Sequence, residues 1–397
     1  MGTTAHSRYD VVVIGGAMMG ASVAWHLSRR DDFGGRILVV ERDPSFAQAS
    51  TSHTNSCMRQ QFSSEINIRI SQYCAEFIRD FRQLIGLPEA PPIHVQPFGY
   101  LYLAADGAAA EQLRRAGALQ RRLGAGTVLL EPDQIARRWP FLALDDILLG
   151  SFNNRDEGYF DGAAIFDWWR RAARRNGVEF ATDEVIGITT EKGTLTGVRL
   201  RGGGHISCAI AVNAAGPRAA QVAAMAGLEI PVEPRKRYTY VFAAQNPLDG
   251  ELPLTIDPSG VHMRSDGAYY MAGAAPEDDR AVAPDDFEFD HELWERRVWP
   301  ALAARIPAFE AIRVVNQWVG HYAYNPLDRN AIVGQHPALR GFLFVNGFSG
   351  HGLQQAPAMG RGLAELICTG GYETLDLSPL GVARILAGRP LAEAAVI

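Results

Sequence analysis

Short apolar runs and a helical pattern alternate at the start of the chain. The residues from Tyr9 to Gly15 are almost all apolar, which is typical of a strand that is buried on both faces. Residues 21–30 follow a helical pattern, and residues 36–41 form a second apolar run. A strand, a loop, a helix and a second strand within about thirty residues predict a βαβ unit.

Helical patterns and short β-rich runs alternate in the rest of the chain. Residues 287–306 are predicted to be helical apart from a break at Pro300. Short β-rich runs separated by turn residues fill residues 178–213 and 232–271. Three other segments have apolar residues at helical spacing and are predicted helices: residues 65–85, 163–176 and 353–368.

Length and composition limit the class of protein. The chain has 397 residues, of which 47% are hydrophobic and 21% charged, as in a globular protein that buries a large core. It carries 44 acidic and 38 basic residues and a net charge of −6, so we expect no nucleic-acid partner, which needs a basic face. None of its four cysteines forms a CxxC pair, so we expect neither a metal site nor a disulfide framework.

Targeting and membrane segments are also not expected. The residues before the first strand lack the apolar core of a signal peptide. No apolar stretch has the length of a transmembrane helix. We therefore expect a cytoplasmic protein without an integral membrane segment.

A glycine-rich loop joins the first predicted strand to the first helix. In dinucleotide-binding folds, glycines here allow a tight turn, close approach of the backbone to a pyrophosphate, and close packing of helix on strand. Gly15, Gly16 and Gly20 fit this pattern, whereas Ala17 replaces the second glycine of the motif. Glu41 ends the second strand, where a carboxylate binds a ribose hydroxyl. The pattern predicts a dinucleotide site and leaves FAD and NAD open.

Four segments resemble one flavoprotein family, the D-amino-acid oxidase/sarcosine oxidase family. Residues 49–59 resemble its small-residue and serine motif, which comes after the acidic residue and is followed by an arginine. Residues 214–217 resemble the family's Ala-Gly-Ala/Pro loop, which follows a strand. Residues 327–334 resemble its Pro-Asp-x-x-Pro-Ile-Ile-Gly segment, and residues 347–352 resemble its C-terminal flavin loop. The resemblance spans nearly the whole chain, and it implies FAD as the cofactor.

Three stretches resemble one branch of this family more closely, that of a mitochondrial FAD-dependent oxidoreductase domain protein linked to respiratory complex I. They are residues 232–238, 347–357 and 376–379. The expected fold is mixed α/β, with a Rossmann-type FAD-binding domain interleaved with an antiparallel-sheet substrate domain, because motifs at both chain ends serve one site. The expected FAD-binding domain comprises residues 1–90, 155–230 and 325–397, and the substrate-binding domain residues 91–154 and 231–324.

The resemblance implies FAD contacts at several places along the chain. Glu41 and Arg42 would hold the ADP half together with the glycine loop, and Ser50 and Thr51 would bind the pyrophosphate or the linker to the flavin. The helix after Gly350 would direct N–H groups at the flavin, where negative charge gathers on reduction; the alternative is a flexible helix cap. The full expected set is Gly15, Gly16, Ala17, Met19, Gly20, Glu41, Arg42, Ser50, Thr51, Ser52, Val185, Ala215, Gly216, Gly320, Gly350, His351, Gly352, Leu353 and Gln354.

Two residues are the main candidates for the chemistry. The family oxidises a C–N bond beside a carboxylate and passes a hydride equivalent to flavin N5. Arg59 is the expected carboxylate ligand, since a guanidinium grips a carboxylate with two parallel hydrogen bonds; the alternative is a surface ion pair. His321 lies where some relatives attach the flavin covalently through a cysteine. It would touch the flavin, accept a proton from the substrate amine or form a different covalent link, and the alternative is a structural hydrogen bond.

Further candidates are weaker. His351 is expected to contact the flavin more than to catalyse, and His53 is either a cofactor contact or a hydrogen-bonding residue of its loop. His262 and Tyr240 lie on strands expected to cover the active site, where alternate residues can equally face the core. The basic run at residues 235–237 supplies a second cation for an acidic substrate or forms a solvated face.

Gln354 stands where sarcosine-oxidase-like enzymes have a lysine that helps to bind the carboxylate or oxygen. This departure leaves the electron acceptor open between oxygen and another carrier. We expect FAD-dependent oxidation of the C–N bond of an amino acid or N-alkyl amino acid, a small carboxylate substrate. The alternatives are oxidation of a 2-hydroxy acid and a flavoprotein that acts as an assembly or interaction factor without turning over a small molecule.

Overall fold

The protein's structure, a computed structural model, describes residues 4–394. The strands in this part of the chain are β1 (Val11–Ile14), β2 (Ile37–Glu41), β3 (Cys57–Met58), β4 (Tyr100–Ala104), β5 (Val128–Leu130), β6 (Leu149–Asn153), β7 (Gly158–Tyr159), β8 (Glu179–Thr182), β9 (Val185–Glu191), β10 (Thr194–Leu200), β11 (His205–Ser207), β12 (Ile210–Asn213), β13 (Glu233–Ala244), β14 (Leu254–Ile256), β15 (His262–Asp266), β16 (Tyr269–Ala274), β17 (Ile312–Tyr324), β18 (Ile332–Gln335) and β19 (Phe342–Asn346). The α-helices are α1 (Met18–Ser28), α2 (Glu65–Arg79), α3 (Phe81–Ile85), α4 (Gly107–Arg122), α5 (Pro132–Arg138), α6 (Gly162–Arg175), α7 (Ala219–Ala224), α8 (Trp299–Arg305), α9 (Gly352–Thr369) and α10 (Val382–Leu386).

A six-stranded sheet in the order β18-β19-β12-β1-β2-β8 forms the first half of the fold. Its strands run parallel except β18, which pairs antiparallel with β19. Helices α1, α2, α6 and α9 cover one face, and the small sheet of β9, β10 and β11 covers the other with α7. Because both faces are covered, every residue of β1 and β19 is buried, as their continuous apolar runs predict.

An eight-stranded sheet in the order β17-β13-β16-β15-β14-β4-β6-β5 forms the second half. Its pairs are antiparallel except β14 with β4. One face packs against α8 and neighbouring aromatic residues in a core that contains Tyr240, Phe242 and Phe309. The opposite face turns toward the carboxyl ends of the first sheet, and this arrangement positions the site described below.

The two sheets take their strands from interleaved parts of the chain. The six-stranded sheet uses strands from residues 11–41, 179–213 and 332–346, and the eight-stranded sheet uses strands from residues 100–153 and 233–324. The mixed α/β class is confirmed. The limits given above for the two domains stay a prediction.

The helix predicted over residues 287–306 is wrong in its first third. The chain becomes helical only at Trp294, with a π-helical turn (Trp294–Val298) followed by α8. Asp290 explains the late start, because its Oδ1 accepts hydrogen bonds from the N–H groups of Glu292 and Leu293. Pro300 does not break the helix: it is the second residue of α8, which continues directly from the π-helical turn.

Candidate active site

A continuous cavity lies between the carboxyl ends of β1, β2 and β12 and the open face of the eight-stranded sheet. Most of the expected site residues line it. They are Gly15, Ala17, Met19, Glu41, Arg42, Ser50, Thr51, His53, Arg59, Val185, Ala215, Gly216, His262, Gly320, His321, Gly350, His351, Gly352, Leu353 and Gln354.

The glycine loop is shaped by two close backbone contacts. Gly15 has a φ of 100°, and a Cβ there would lie 2.6 Å from the carbonyl oxygen of Ala214. A Cβ on Gly20 would lie 1.9 Å from the carbonyl oxygen of Gly15, so α1 packs directly on the turn. Gly20 thus shapes the loop. Neither Gly16 nor Gly20 is among the described residues that line the cavity, and their expected contacts with the cofactor stay a prediction.

Glu41 is positioned by the same loop. Its Oε2 accepts a hydrogen bond from the N–H of Gly16 (2.8 Å), and its Oε1 accepts one from the N–H of Asp43 (2.9 Å). These bonds hold the carboxylate at the end of β2, where it lines the cavity with lone pairs left for a ribose hydroxyl. The Glu41 carboxylate is therefore in a suitable place to bind a ribose hydroxyl.

Two helices begin at the cavity, and the first N–H group of α1, that of Met18, donates to Thr51 Oγ1 there (3.3 Å). The N-cap residue of α1 is Ala17 and that of α9 is His351, and neither forms a side-chain cap within residues 4–394. Neither helix has an acidic residue in its first turn. Free N–H groups and a positive helix dipole favour negative charge, which suits a pyrophosphate at α1 and a reduced flavin at α9. The residues present thus fit FAD.

The segment of Ser50 to His53 packs against β17. Ser50 Oγ donates to the carbonyl oxygen of His321 (2.6 Å), and His53 Nδ1 donates to the carbonyl oxygen of Ala49 (3.0 Å). A Cβ on Gly320 would lie 2.4 Å from that of His53, so only glycine allows this approach. Ser52 is exposed and outside the cavity lining, contrary to its expected contact with the cofactor.

Arg59 lies at the other end of the cavity and is only 4% exposed. Its Nη2 lies 3.1 Å from Nε2 of His351, and its backbone N–H donates to Oε1 of Gln354 (2.8 Å). The guanidinium also stacks on the ring of Phe62, with 4.4 Å from Cζ to the ring centroid. A surface ion pair, the alternative role for this arginine, does not fit its burial.

His351 is a neutral imidazole in this arrangement. Burial and the adjacent Arg59 guanidinium hold the pKa of His351 well below its usual value. Because a guanidinium has only donors, Nε2 of His351 must accept and Nδ1 must carry the proton. His351 thus helps to orient Arg59 at the start of α9.

His321 is buried beneath a surface segment. Its Nε2 donates to the carbonyl oxygen of Asp286 (2.8 Å), and its ring lies 4.3 Å from that of Phe287. Burial lowers the pKa of His321, so the ring is neutral near pH 7. In the β13–β17 pair His321 lies opposite Lys236, so its side chain is on the face of the sheet away from Arg237 and Thr239. Its Nδ1 has no hydrogen-bond partner among the described residues.

His262 belongs to a row of hydrogen-bonded polar side chains. Its other members, Asn55 and Thr239, are not indicated by the sequence analysis. Asn55 Nδ2 donates to Nε2 of His262 (3.2 Å), and Thr239 Oγ1 lies 3.5 Å from Oδ1 of Asn55. Burial lowers the pKa of His262 to about 4, and nearby arginines, including Arg237 and Arg59, add to this effect. Asn55 and Thr239 lie about two hundred residues apart along the chain, and no local pattern indicates such a contact.

Tyr240 contradicts the expectation that it faces the active site. It is fully buried in the core on the opposite face of the eight-stranded sheet, between the rings of Phe289 and Trp294. Successive side chains of a strand point to opposite faces, so Tyr240 lies with Phe242 in the core. Thr239, its neighbour, faces the cavity instead.

Glu157 is a further residue that sequence reasoning missed. Its Oε1 accepts hydrogen bonds from the backbone N–H groups of Gln60 (2.7 Å) and Gln61 (3.1 Å), and it also accepts from Asn153. Burial raises the pKa of Glu157 to about 7, although these bonds and the charge of Arg59 oppose the rise. Glu157 lies behind the cavity lining and from there holds Gln60 and Gln61, the two residues that follow Arg59.

Comparison with known proteins identifies the family. The family model described as DAO, FAD dependent oxidoreductase, matches residues 10–366. The chain belongs to the DAO family. It is therefore an FAD-dependent oxidoreductase, as the resemblance of its motifs predicted.

Members of the DAO family with known names resemble the chain over most of its length. FAD-dependent oxidoreductase domain-containing protein 1 from Bos taurus is 36% identical, over 98% of this chain and 87% of its own, which confirms the predicted branch. Human mitochondrial sarcosine dehydrogenase is 26% identical over 92% of this chain and 40% of its own. The crystal structure of L-proline dehydrogenase from P. horikoshii has a TM-score of 0.83 and 26% identity, covering 96% of this chain and 99% of its own.

Residues 4–394 of this DAO-family chain contain neither a candidate metal cluster nor a helix fit to span a membrane. No group of three or more histidine, cysteine, aspartate or glutamate side chains there has a metal-binding arrangement. Within the same residues, every helix is too short or too polar to cross a bilayer. The cytoplasmic location expected from the sequence stays a prediction.

Proposed function

We propose that this enzyme oxidises the C–N bond of an amino acid or N-alkyl amino acid. The observation that carries the proposal is the buried guanidinium of Arg59, held beside the N-terminus of α9 in the same cavity as the glycine loop. The bound flavin supplies the hydride acceptor at its N5. The residues of the chain bind, orient and shield the substrate.

Arg59 is the proposed ligand of the substrate carboxylate. A guanidinium binds a carboxylate through two parallel hydrogen bonds, and burial strengthens such a pair because little water competes. The ring of Phe62 supports one face of this guanidinium, and Gln354 fixes its backbone. The carboxylate would thereby place the adjacent carbon at a fixed position near the start of α9.

The charges along the cavity support an anionic substrate. The carboxylates among the described lining residues, Glu41, Asp43, Asp183 and Glu184, all lie at the glycine-loop end. The end with Arg59 is lined by histidine, tyrosine and amide side chains instead. The Arg59 guanidinium therefore offers an anionic substrate group a positive charge at an end of the cavity that has no carboxylate among its described lining residues.

Neutral imidazoles support oxidation of an amine. The substrate nitrogen must lose its proton before its lone pair can assist departure of the hydride, and a neutral imidazole can accept a hydrogen bond from it. Burial lowers the pKa of His262 to about 4, so this cavity-lining imidazole is neutral near pH 7.

The names of two similar proteins support the same substrate class. Sarcosine and L-proline, which those names specify, are both secondary amino acids with a free carboxylate. A secondary amine beside a carboxylate fits a cavity that holds the Arg59 guanidinium and the neutral imidazole of His262.

Anaerobic absorbance of the purified yellow protein tests the proposal. Amino acids, N-methyl amino acids and 2-hydroxy acids are added separately, and loss of the oxidised flavin band is recorded. Bleaching by an amine class supports the proposal, and readmission of air then separates an oxidase from a dehydrogenase. Bleaching by 2-hydroxy acids alone, or by no compound while FAD is bound, contradicts it.

A further inference from the structure

A second guanidinium, that of Arg237, lies at the same end of the cavity as Arg59. Arg237 is on β13, and its side chain is 12% exposed. Because side chains of a strand alternate, Arg237 shares the cavity face with Thr239, whereas Tyr240 and Phe242 belong to the opposite core. Its Cζ lies 4.7 Å from the ring centroid of Tyr322, which also lines the cavity.

Arg237 is paired with a carboxylate from a surface segment. Its Nη1 and Nη2 donate to the two carboxylate oxygens of Asp279 (2.7 and 3.0 Å), and Nη1 also donates to the carbonyl oxygen of Lys236 (2.7 Å). The Asp279 side chain is 28% exposed, so water can solvate it if it leaves the pair. The two ends of the guanidinium therefore already bind a carboxylate in the geometry that a ligand would use.

Arg59 and Arg237 both line the cavity and both lie near His262. Both guanidiniums contribute to the lowered pKa of His262, after the larger effects of burial and of Arg264. His262 is neutral and accepts a hydrogen bond from Asn55. A ligand that fills this end of the cavity thus meets a guanidinium at two places.

We propose that Arg237 binds a second acidic group of the substrate, and this inference rests on the proposed function. The substrate class is then an amino acid or N-alkyl amino acid that carries a second carboxylate, on its side chain or on its N-alkyl group. The second carboxylate takes the place of the Asp279 carboxylate on Arg237, so one ion pair replaces another and Asp279 returns to water. The first carboxylate binds Arg59.

Arg235 provides a matched control on the same strand. It also pairs with Asp279 (3.5 Å) and with Glu233 (2.8 Å), but it is not among the residues that line the cavity. If Arg237 only tied the surface segment to the sheet, replacing either arginine would have similar effects. If Arg237 binds a ligand, only its replacement changes the preference for dicarboxylates.

The experiment uses two thioethers that cannot be oxidised as amines. Thiodiacetate has two carboxylates and (methylthio)acetate has one, and their binding to the oxidised holoenzyme is followed by the change in flavin absorbance. We expect the wild type to bind thiodiacetate at least about tenfold more tightly than the monocarboxylate. Arg237→Gln should abolish this preference and keep the affinity for the monocarboxylate, whereas Arg235→Gln should keep the preference.

Asp279→Asn tests the same site without removing the cation. This variant should bind thiodiacetate more tightly than the wild type, since Arg237 loses its internal partner. It also keeps the inference testable if Arg237→Gln does not fold with FAD. Equal binding of both thioethers by the wild type, a preference retained in Arg237→Gln, or no gain in Asp279→Asn would overturn the inference.

Flavin reduction by iminodiacetate and by sarcosine separates this inference from the proposed function. If neither compound nor any other amino acid reduces the flavin while the thiodiacetate preference depends on Arg237, the oxidation fails and the dicarboxylate site stands. If both reduce it equally well in the wild type and in Arg237→Gln, the oxidation stands and the dicarboxylate site is wrong.

Discussion

The side-chain amide of Gln354 binds both backbone groups of Arg59. Its Oε1 accepts from the N–H of Arg59 (2.8 Å), and its Nε2 lies 3.4 Å from the carbonyl oxygen of Arg59. Nε2 also donates to Ser71 Oγ (3.3 Å). Gln354, a neutral amide, thus positions the backbone of Arg59. It stands where sarcosine-oxidase-like enzymes have a lysine.

Replacing Gln354 with leucine should weaken substrate binding through Arg59. Leucine has a similar volume but makes neither bond, so the backbone of Arg59 loses its support. We expect the KM for a carboxylate substrate to rise about tenfold, with a smaller change in kcat, while FAD stays bound. The control is Gln355→Leu, because Gln355 donates to Asn67 and not to Arg59. An equal rise in KM in both variants would contradict this role.

Glu157 should make stability depend on pH. Its pKa is about 7 in the fold against a usual 4.5, so the folded protein binds a proton that the unfolded chain releases between these values. The free energy of unfolding should therefore fall by up to about 3 kcal/mol as the pH rises from 4.5 to 7. Glu157→Gln keeps an acceptor for the N–H groups of Gln60 and Gln61 and should remove most of this dependence. Urea unfolding at pH 5 and pH 7.5 measures it.

Glu365 provides the control for this pH dependence. Burial alone would raise the pKa of Glu365, but hydrogen bonds from Thr374 and from the N–H of Glu373 bring it below its usual value. Glu365→Gln should therefore destabilise the protein to the same extent at pH 5 and pH 7.5. A pH dependence unchanged in Glu157→Gln would remove Glu157 as its source.

The contact between Gly20 and Gly15 should be intolerant of a methyl group. In Gly20→Ala the new Cβ would lie 1.9 Å from the carbonyl oxygen of Gly15, so α1 must shift away from the turn. We expect a loss of about 1–3 kcal/mol in stability and a protein purified with little FAD. At Gly34 a Cβ would meet no described atom within 4 Å, so Gly34→Ala should keep its FAD. Full FAD content in Gly20→Ala would contradict this account of the loop.

The sequence predicts the glycine loop and Glu41 because local order determines them. A buried strand, a turn and a helix follow one another within a few residues, and the carboxylate ends the next strand. The places of Arg59 and His351 followed from the family resemblance.

Contacts between distant parts of the chain could not be predicted in this way. Glu157 supports residues about one hundred positions earlier, and Asn55 meets Thr239 and His262 from two other strands. The face expected for Tyr240 is wrong because period-two alternation defines two faces without telling which one is the core. The late start of the helix near Trp294 depends on the capping bonds of Asp290, which apolar spacing does not reveal.

The most direct test of the proposed oxidation compares the wild type with Arg59→Met in rapid anaerobic mixing with N-methyl amino acids. We predict that the wild-type flavin is reduced, and that Arg59→Met retains FAD but needs about a hundredfold more substrate for the same rate, because the buried charge pair with the carboxylate is lost. Reduction of Arg59→Met at the wild-type concentration dependence, or reduction of the wild type by 2-hydroxy acids alone, would contradict the account.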